Sequence, residues 1–274
     1  MPRIPLEDNL ADVIGKAQRG LKIGDGDLAA RAEVSTADLA AVKAGQPIDA
    51  VIRRVARHLQ LNPSALVELA HRRWYPEQPR LSRGFAMFNT AFGDMTVNSY
   101  LLWDTRARTA VAFDTGADSD PMIDVVRSEA LRVHYIFITH THDDHVADLA
   151  KLARATGAEV WASEREPIDY PGSRTFPENS HFHVGELAIK TLATGGHAAG
   201  QTTFYVTGLA RPIAVVGDSL FSCSMGGSAD HYAEQHRNDV EKIFSLPRDT
   251  VLACGHGPLT TVSQEKLHNP FFAR

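Results

Sequence analysis

The sequence predicts an α/β chain: a small all-helical N-terminal domain followed by a larger domain of alternating strands and helices. Three observations predict it. Up to residue 75, apolar residues recur only at helical spacing. From Phe85 on, short runs rich in β-branched and aromatic residues read as strands. Several of those runs end alike, with an apolar stretch giving way to a turn that carries His or Asp. His134–Ile138 precedes Thr139-His140-Thr141-His142-Asp143-Asp144-His145, Ile213–Val216 precedes Gly217-Asp218, and Val251–Cys254 precedes Gly255-His256. Open α/β sheets place ligand sites at such carboxyl ends of strands.

The chain has 274 residues, enough for one large domain or two smaller ones, and its 43% hydrophobic content can build a substantial core. No stretch approaches the roughly 18 apolar residues of a membrane span, so no membrane partner is expected. The first residues, Met1 to Asp8, lack the apolar centre of a secretory signal, and Cys223 and Cys254 are too few for a disulfide framework. Both point to a cytoplasmic protein. A net charge of −5 argues against nucleic acid as the main substrate.

In the helical part, Leu10, Val13, Ile14 and Ala17 share one helix face, with Gly20 as its stop. A short helix spans 27–32. Glu33-Val34-Ser35 is a turn, and Ser35 caps a helix over 36–44 that ends at Gly45. Val51, Ile52, Val55, Ala56 and Leu59 form a fourth helix, and Asn62 or Ser64 starts a fifth. The pattern Leu28-Ala29-x-x-Ala32-x-Val34-Ser35, then Leu39, then Val55-Ala56-x-x-Leu59-x-Leu61, resembles the helix-turn-helix domain of phage-repressor-type regulators. A DNA reader needs cations on its recognition helix. Residues 35–45 offer only Lys43, and the whole segment balances eleven Lys/Arg against nine Asp/Glu. A bundle used for homodimerisation or for covering a site is favoured over DNA binding. The boundaries are 1–75 for the helical domain, 76–84 for a proline-bearing linker and 85–274 for the catalytic domain.

That last domain opens with a meander, 85–92, 98–103 and 109–113, closed by Asp114-Thr115-Gly116. A helix over 121–130 precedes the strand at 134–138. A helix follows over 146–156, stopped by Gly157, and then a strand at 159–162. Residues 164–180 hold three prolines and read as a loop. His181 and His183 alternate along a strand edge and read as surface residues. Thr261 and Gln264 form a capping box for a last helix that ends at Asn269-Pro270.

The dense cluster at 139–145 is explained by metal binding, because imidazole and carboxylate are ligands that zinc, iron and manganese accept. His140 and His142 point the same way in an extended stretch. His140-x-His142-x-Asp144-His145 resembles the signature of the metallo-β-lactamase-fold hydrolases. The similarity continues through Asn98-x-Tyr100-Leu101-Leu102, Asp114-x-Gly116, Gly196-His197-Ala198-Ala199-Gly200, Gly217-Asp218-x-Leu220-Phe221 and Gly255-His256-Gly257-Pro258. It covers nearly all of 85–272 and is close to the small, glyoxalase-II-like branch. Ala198-Ala199 departs from the usual Thr-Pro, and Gly226-Gly227 lacks a cation that the family often has there.

The resemblance implies a four-layer αββα sandwich. It also implies two divalent ions, zinc first, with iron or manganese as alternatives. His140, His142 and His197 would hold one ion, Asp144, His145 and His256 the other, and Asp218 would bridge them. Asp144 and Asp218 are the carboxylates assigned to catalysis, and Asp114 would support the metal loop. The implied reaction is hydrolysis of a small-molecule thioester or ester by a metal-bridging hydroxide. The 18 residues after His256 leave no room for the C-terminal extension that helps glyoxalase II bind glutathione. Cys223, His231, Tyr232, His236 and Arg237 are candidate substrate contacts. Two alternatives stand: a mononuclear-iron persulfide dioxygenase, which shares the ligand pattern, and a ligand-responsive transcription regulator.

Overall fold

The structure is a computed structural model and describes residues 3–81 and 83–274. Five helices come first: α1 (Leu10–Leu21), α2 (Asp25–Arg31), α3 (Thr36–Lys43), α4 (Asp49–His58) and α5 (Pro63–Ala70). Three of them start as their sequences dictate. Asn9 and Asp12 close a reciprocal box at α1, Ser35 caps α3 through Asp38 N, and Asn62 caps α5 with Pro63 in the first turn.

An antiparallel meander follows, β1 (Phe85–Phe92), β2 (Met95–Asp104) and β3 (Thr109–Phe113). After α6 (Asp120–Ser128), three parallel additions extend it: β4 (Arg132–Phe137), then α7 (Asp143–Val146) and α8 (Leu149–Thr156), then β5 (Glu159–Ser163) and β6 (Arg174–Phe176). The second sheet gathers β7 (His181–Val184), β8 (Leu187–Ala193), β9 (Thr202–Thr207) and β10 (Ile213–Gly217). A small hairpin, β11 (Leu220–Phe221) and β12 (Ser224–Met225), then leads to α9 (Tyr232–Asn238) and a π-helical turn, Asp239–Ile243. The chain closes with β13 (Val251–Cys254), β14 (Thr260–Thr261) and α10 (Val262–His268). The two six-stranded sheets run β1-β2-β3-β4-β5-β6 and β14-β13-β10-β9-β8-β7, with β10 and β13 parallel.

Period-two alternation sorts the strand side chains into three cores. Tyr100, Leu102, Val111, Phe113 and Phe137 of the first sheet meet Ile189, Phe204, Val206, Val215 and Val251 of the second. Leu101, Ala110, Ala112 and Ile136 point the other way, onto Met122 of α6 and Leu149 and Leu152 of α8. On the far side, Ala214, Val216, Leu252 and Cys254 meet Val13, Ile14, Leu39, Ile52, Val55 and Leu66 of the first five helices. The N-terminal helices therefore share one hydrophobic cluster with the second sheet.

Four local expectations change. Gly20 does not stop α1, which runs on to Leu21 and is closed by a left-handed Lys22. Gly20 is instead where the Tyr232 ring packs, since a Cβ there would lie 2.2 Å from that ring. The helix expected over 146–156 breaks into α7 and α8 at Ala147 and Asp148. The loop over 164–180 hides a three-residue strand, β6, paired to β5. At α10 only half the box forms: Thr261 Oγ1 accepts from Gln264 N, while the Gln264 amide reaches across to the Glu77 backbone. His181 and His183 are exposed.

Candidate metal centre

Strands β4, β10 and β13 all deliver their carboxyl ends to one edge of the sandwich. Beyond β4 the chain is fixed by Asp114, at the end of the neighbouring β3. Its Oδ1 accepts from Thr139 N (2.8 Å), and its Oδ2 accepts from Thr139 Oγ1 (2.8 Å) and faces His145 Nδ1 at 2.8 Å. Asp114 adopts φ 55°, a region that Asp tolerates better than most residues. Glu166 clamps the same loop from outside: Oε1 accepts from Thr141 N and Oγ1, and Oε2 from Gly200 N (each 2.7 Å). It thereby ties the 139–145 loop to the loop that carries His197. Gly255 lets β13 close in, because a Cβ there would sit 2.0 Å from Asp218 Oδ1.

These elements bring together all seven residues singled out from the sequence. Three groups have ligand atoms mutually within 4.8 Å: His140, His142 and His197; His140, His145 and Asp218; and Asp144, His145 and His256. Asp218 lies between them. Its Oδ2 is 3.5 Å from His197 Nε2 and 3.4 Å from His256 Nε2, and its Oδ1 is 3.3 Å from His145 Nε2. Asp144 Oδ2 is 3.2 Å from His256 Nε2.

Three of the rings are oriented by their outer nitrogens. His197 Nδ1 donates to Gly227 O (2.8 Å) and His256 Nδ1 to Thr96 O (2.7 Å), while His145 Nδ1 faces the Asp114 carboxylate. Carbonyls only accept, so His197 and His256 each carry a proton on Nδ1, which leaves Nε2 as the nitrogen that can take an ion. His142 Nδ1 stands 3.1 Å from both His140 Nε2 and His197 Nε2. Three ring nitrogens converging at that distance repel one another unless a cation or proton lies between them. Buried His145 Nε2 and Asp218 Oδ1 have no hydrogen-bond partner. The donor chemistry and these orphaned atoms fit divalent ions held by nitrogen and carboxylate oxygen.

The electrostatics agree. Burial pushes His140 well below its usual range, helped by His145, and burial also lowers His197. Burial opposes charge on His145 and His256, yet neighbouring carboxylates outweigh it. Asp114 and Asp218 lift His145 to about 10, and Asp144 and Asp218 lift His256 to about 11. Burial likewise opposes ionisation of Asp218, but His145, His256 and His140 hold it well below the usual carboxylate range.

The candidate substrate contacts are placed differently. Tyr232 packs on Gly20 and beside Phe271, and burial pushes its hydroxyl up to about 12. His236 stacks on Phe272 and its Nε2 lies 3.2 Å from Phe271 O. His231 is exposed beside Glu234, and Arg237 is exposed. Cys223 is buried with its thiol pushed up, and its N–H donates to Glu265. Among the described residues, no hydrogen bond or ring contact joins any of the five to the metal cluster. Sequence reasoning passed over Glu166 and the carbonyls of Thr96 and Gly227. A lone Glu in an irregular loop and a backbone oxygen leave no sequence signal.

Residues 92–256 match the family described as "Metallo-beta-lactamase superfamily". Over 168 residues the chain is 30% identical to the hydroxyacylglutathione hydrolase of Pseudomonas entomophila, covering 61% of this chain and 63% of that protein. It thus spans just under two thirds of that relative's length. Among solved structures, the BLEG-1 B3 metallo-beta-lactamase superposes with a TM-score of 0.61 at 25% identity, over 69% of this chain and all of that one. TTHA1623, in a di-iron-bound form, gives 0.56 at 25% identity, over 67% of this chain and 99% of its own. With more than half of the chain, including every clustered His and Asp, inside the matched region, the chain belongs to the metallo-beta-lactamase superfamily.

Proposed function

We propose that this chain is a metal-dependent hydrolase of small acyl substrates, thioesters first and oxygen esters second. The observation that carries the reading is the pair of three-residue ligand groups meeting at Asp218. His140, His142 and His197 would hold one divalent ion and Asp144, His145 and His256 the second, with Asp218 shared. When bound, such ions supply Lewis acidity for a carbonyl and lower the pKa of a water toward neutrality.

The chain's own residues prepare that site. The carbonyls of Gly227 and Thr96 keep the Nδ1 protons of His197 and His256 facing outward, so Nε2 is the nitrogen turned toward the site. Asp114 holds His145 and the 139–145 loop in one arrangement. Among the described residues, no Ser or Cys side chain contacts the metal cluster. Both cysteines are buried with raised thiol pKa values, and Ser219 Oγ donates to Thr194 Oγ1. Water is then the attacking group, and the leaving thiolate or alkoxide departs toward the same charged edge. The hydroxyacylglutathione hydrolase relative supports a thioester.

A DNA-binding role finds less support. Lys43, the one cation of 35–45, is engaged by Asp25 and Gln18. No helix among the described residues is long and apolar enough to cross a membrane.

The test is metal analysis of protein purified without chelator, followed by a panel of thioesters, esters and lactones with the Asp218→Ala variant as control. About two ions per chain and thioester turnover, lowered at least a hundredfold in the variant, are expected. One iron per chain with oxygen uptake on a glutathione persulfide would overturn the hydrolase in favour of the dioxygenase. Full turnover by Asp218→Ala would sink the shared role of that carboxylate.

A further inference from the structure

We propose that Lys16, on the first N-terminal helix, is a positioning residue of the metal centre: it fastens the Met225–Gly227 turn whose carbonyl orients His197. The inference rests on the reading of His197 as a ligand. Lys16 lies outside the residues that match the family, 92–256, so its role belongs to this chain's own N-terminal part.

Three contacts fix Lys16. Its Nζ donates to Met225 O (3.0 Å), pairs with the Asp8 carboxylate and lies 4.8 Å from the centroid of the Phe221 ring. The Phe221 ring in turn meets His256 edge-on, with centroids 5.5 Å apart. The Lys16 and Asp8 side chains are only 12% and 9% exposed. An ion pair this withdrawn from water is costly to break, because the surviving charge is left unpaired.

The turn carries the effect to the metal centre. Two residues after the carbonyl that Lys16 holds, Gly227 O receives the His197 Nδ1 proton. Gln235 Nε2 grips the same turn from its other side through Gly226 O (3.2 Å), and Ser228 Oγ ties it to Gly196 O (2.8 Å) beside His197. Lys16 is the counterpart from the helical layer. Lys16 also lies against residue 227 itself, since a Cβ there would sit 3.9 Å from Lys16 Cε, an ordinary packing distance.

Full-length Lys16→Met and Lys16→Arg proteins test this with two readouts. Long-range proton–nitrogen spectra of the metal-free protein report which nitrogen of His197 carries its proton. Competition against a chromophoric chelator reports zinc affinity. In Lys16→Met the fixed Nδ1–H signature of His197 is expected to be lost and zinc affinity to fall about tenfold or more, as on loss of other outer partners of ligating histidines. Lys16→Arg, which can still reach Met225 O and Asp8, should keep both. Should Lys16→Met fail to fold, Lys16→Gln, polar but shorter, is read in the same way. An unchanged His197 signature and affinity in the folded variant would overturn the inference. That signature needs no metal, so it also separates this failure from an absence of hydrolysis, which would overturn only the proposed activity.

Discussion

A buried histidine can ligate an ion only if its inward nitrogen is free of a proton. Here the outer partners choose which nitrogen faces inward, through Gly227 O on His197, Thr96 O on His256 and Asp114 on His145. In the protein alone, however, nearby carboxylates hold His145 up at about 10 and His256 at about 11. The sign follows from linkage. Both values lie above the unfolded value of about 6.5, so these ion pairs contribute their stability fully below that pH. They lose it only as pH rises through 10 and 11. At neutral pH both rings are therefore charged, and ion binding must displace those protons. Zinc titrated into the protein at pH 7 should release about two protons per chain, measured by calorimetry in buffers of different ionisation enthalpy. Apparent affinity should rise with pH across the range 6 to 9. A heat that does not depend on the buffer would show that these two rings are not the ones displaced.

At the scale of elements, Gly20 shows how a local rule yields to packing. A glycine near the end of an amphipathic run signals a C-cap, yet α1 continues through it because the Tyr232 ring occupies the place of its Cβ. Gly20→Ala would favour the helix by up to about 1 kcal/mol in isolation. Here it forces the Tyr232 ring away, and overpacking of this kind costs about 1–3 kcal/mol, so the net effect should be destabilising. Chemical denaturation of the variant measures it; a more stable protein would mean that α9 does not seat on α1 as described. The same contrast explains what could be read in advance. The ligand-bearing turns were legible because only His and Asp serve as ligands there and each follows a local apolar run, as after β4, β10 and β13. β6 was missed because three residues between prolines carry no periodicity. Glu166 and Lys16 were missed because their partners lie far along the chain, Lys16 being 209 residues from Met225. The helix expected over 146–156 divides where Asp148 turns back to accept from Ser119 N and Oγ, a tertiary demand that helical spacing does not record.

For the whole molecule, the decisive fact is where the N-terminal helices spend their apolar faces. Val13, Ile14, Leu28, Leu39, Ile52, Val55 and Leu66 form one cluster with Val216, Leu252, Met225 and Val262. No large apolar side chain of the described residues before 76 is fully exposed, so these helices turn most of their apolar surface onto the sheet. Asn62 N also donates to Pro270 O, and the Trp74 ring stacks on His268 at 4.3 Å, tying the two sides of α5 to the C-terminal segment. Residues 3–75 therefore act as the outer layer of the second sheet. Fully burying one Leu, Ile or Val is worth about 1.5–3 kcal/mol, and total stabilities are about 5–15 kcal/mol. Uncovering even four such positions on the sheet side is enough to remove the native state. The full chain should melt in a single transition. A chain beginning at residue 76 should bind a hydrophobic dye, lose near-ultraviolet dichroism and aggregate, which circular dichroism with light scattering would show. A truncated chain that stayed monomeric with an unchanged melting temperature would mean that the two parts are stable independently.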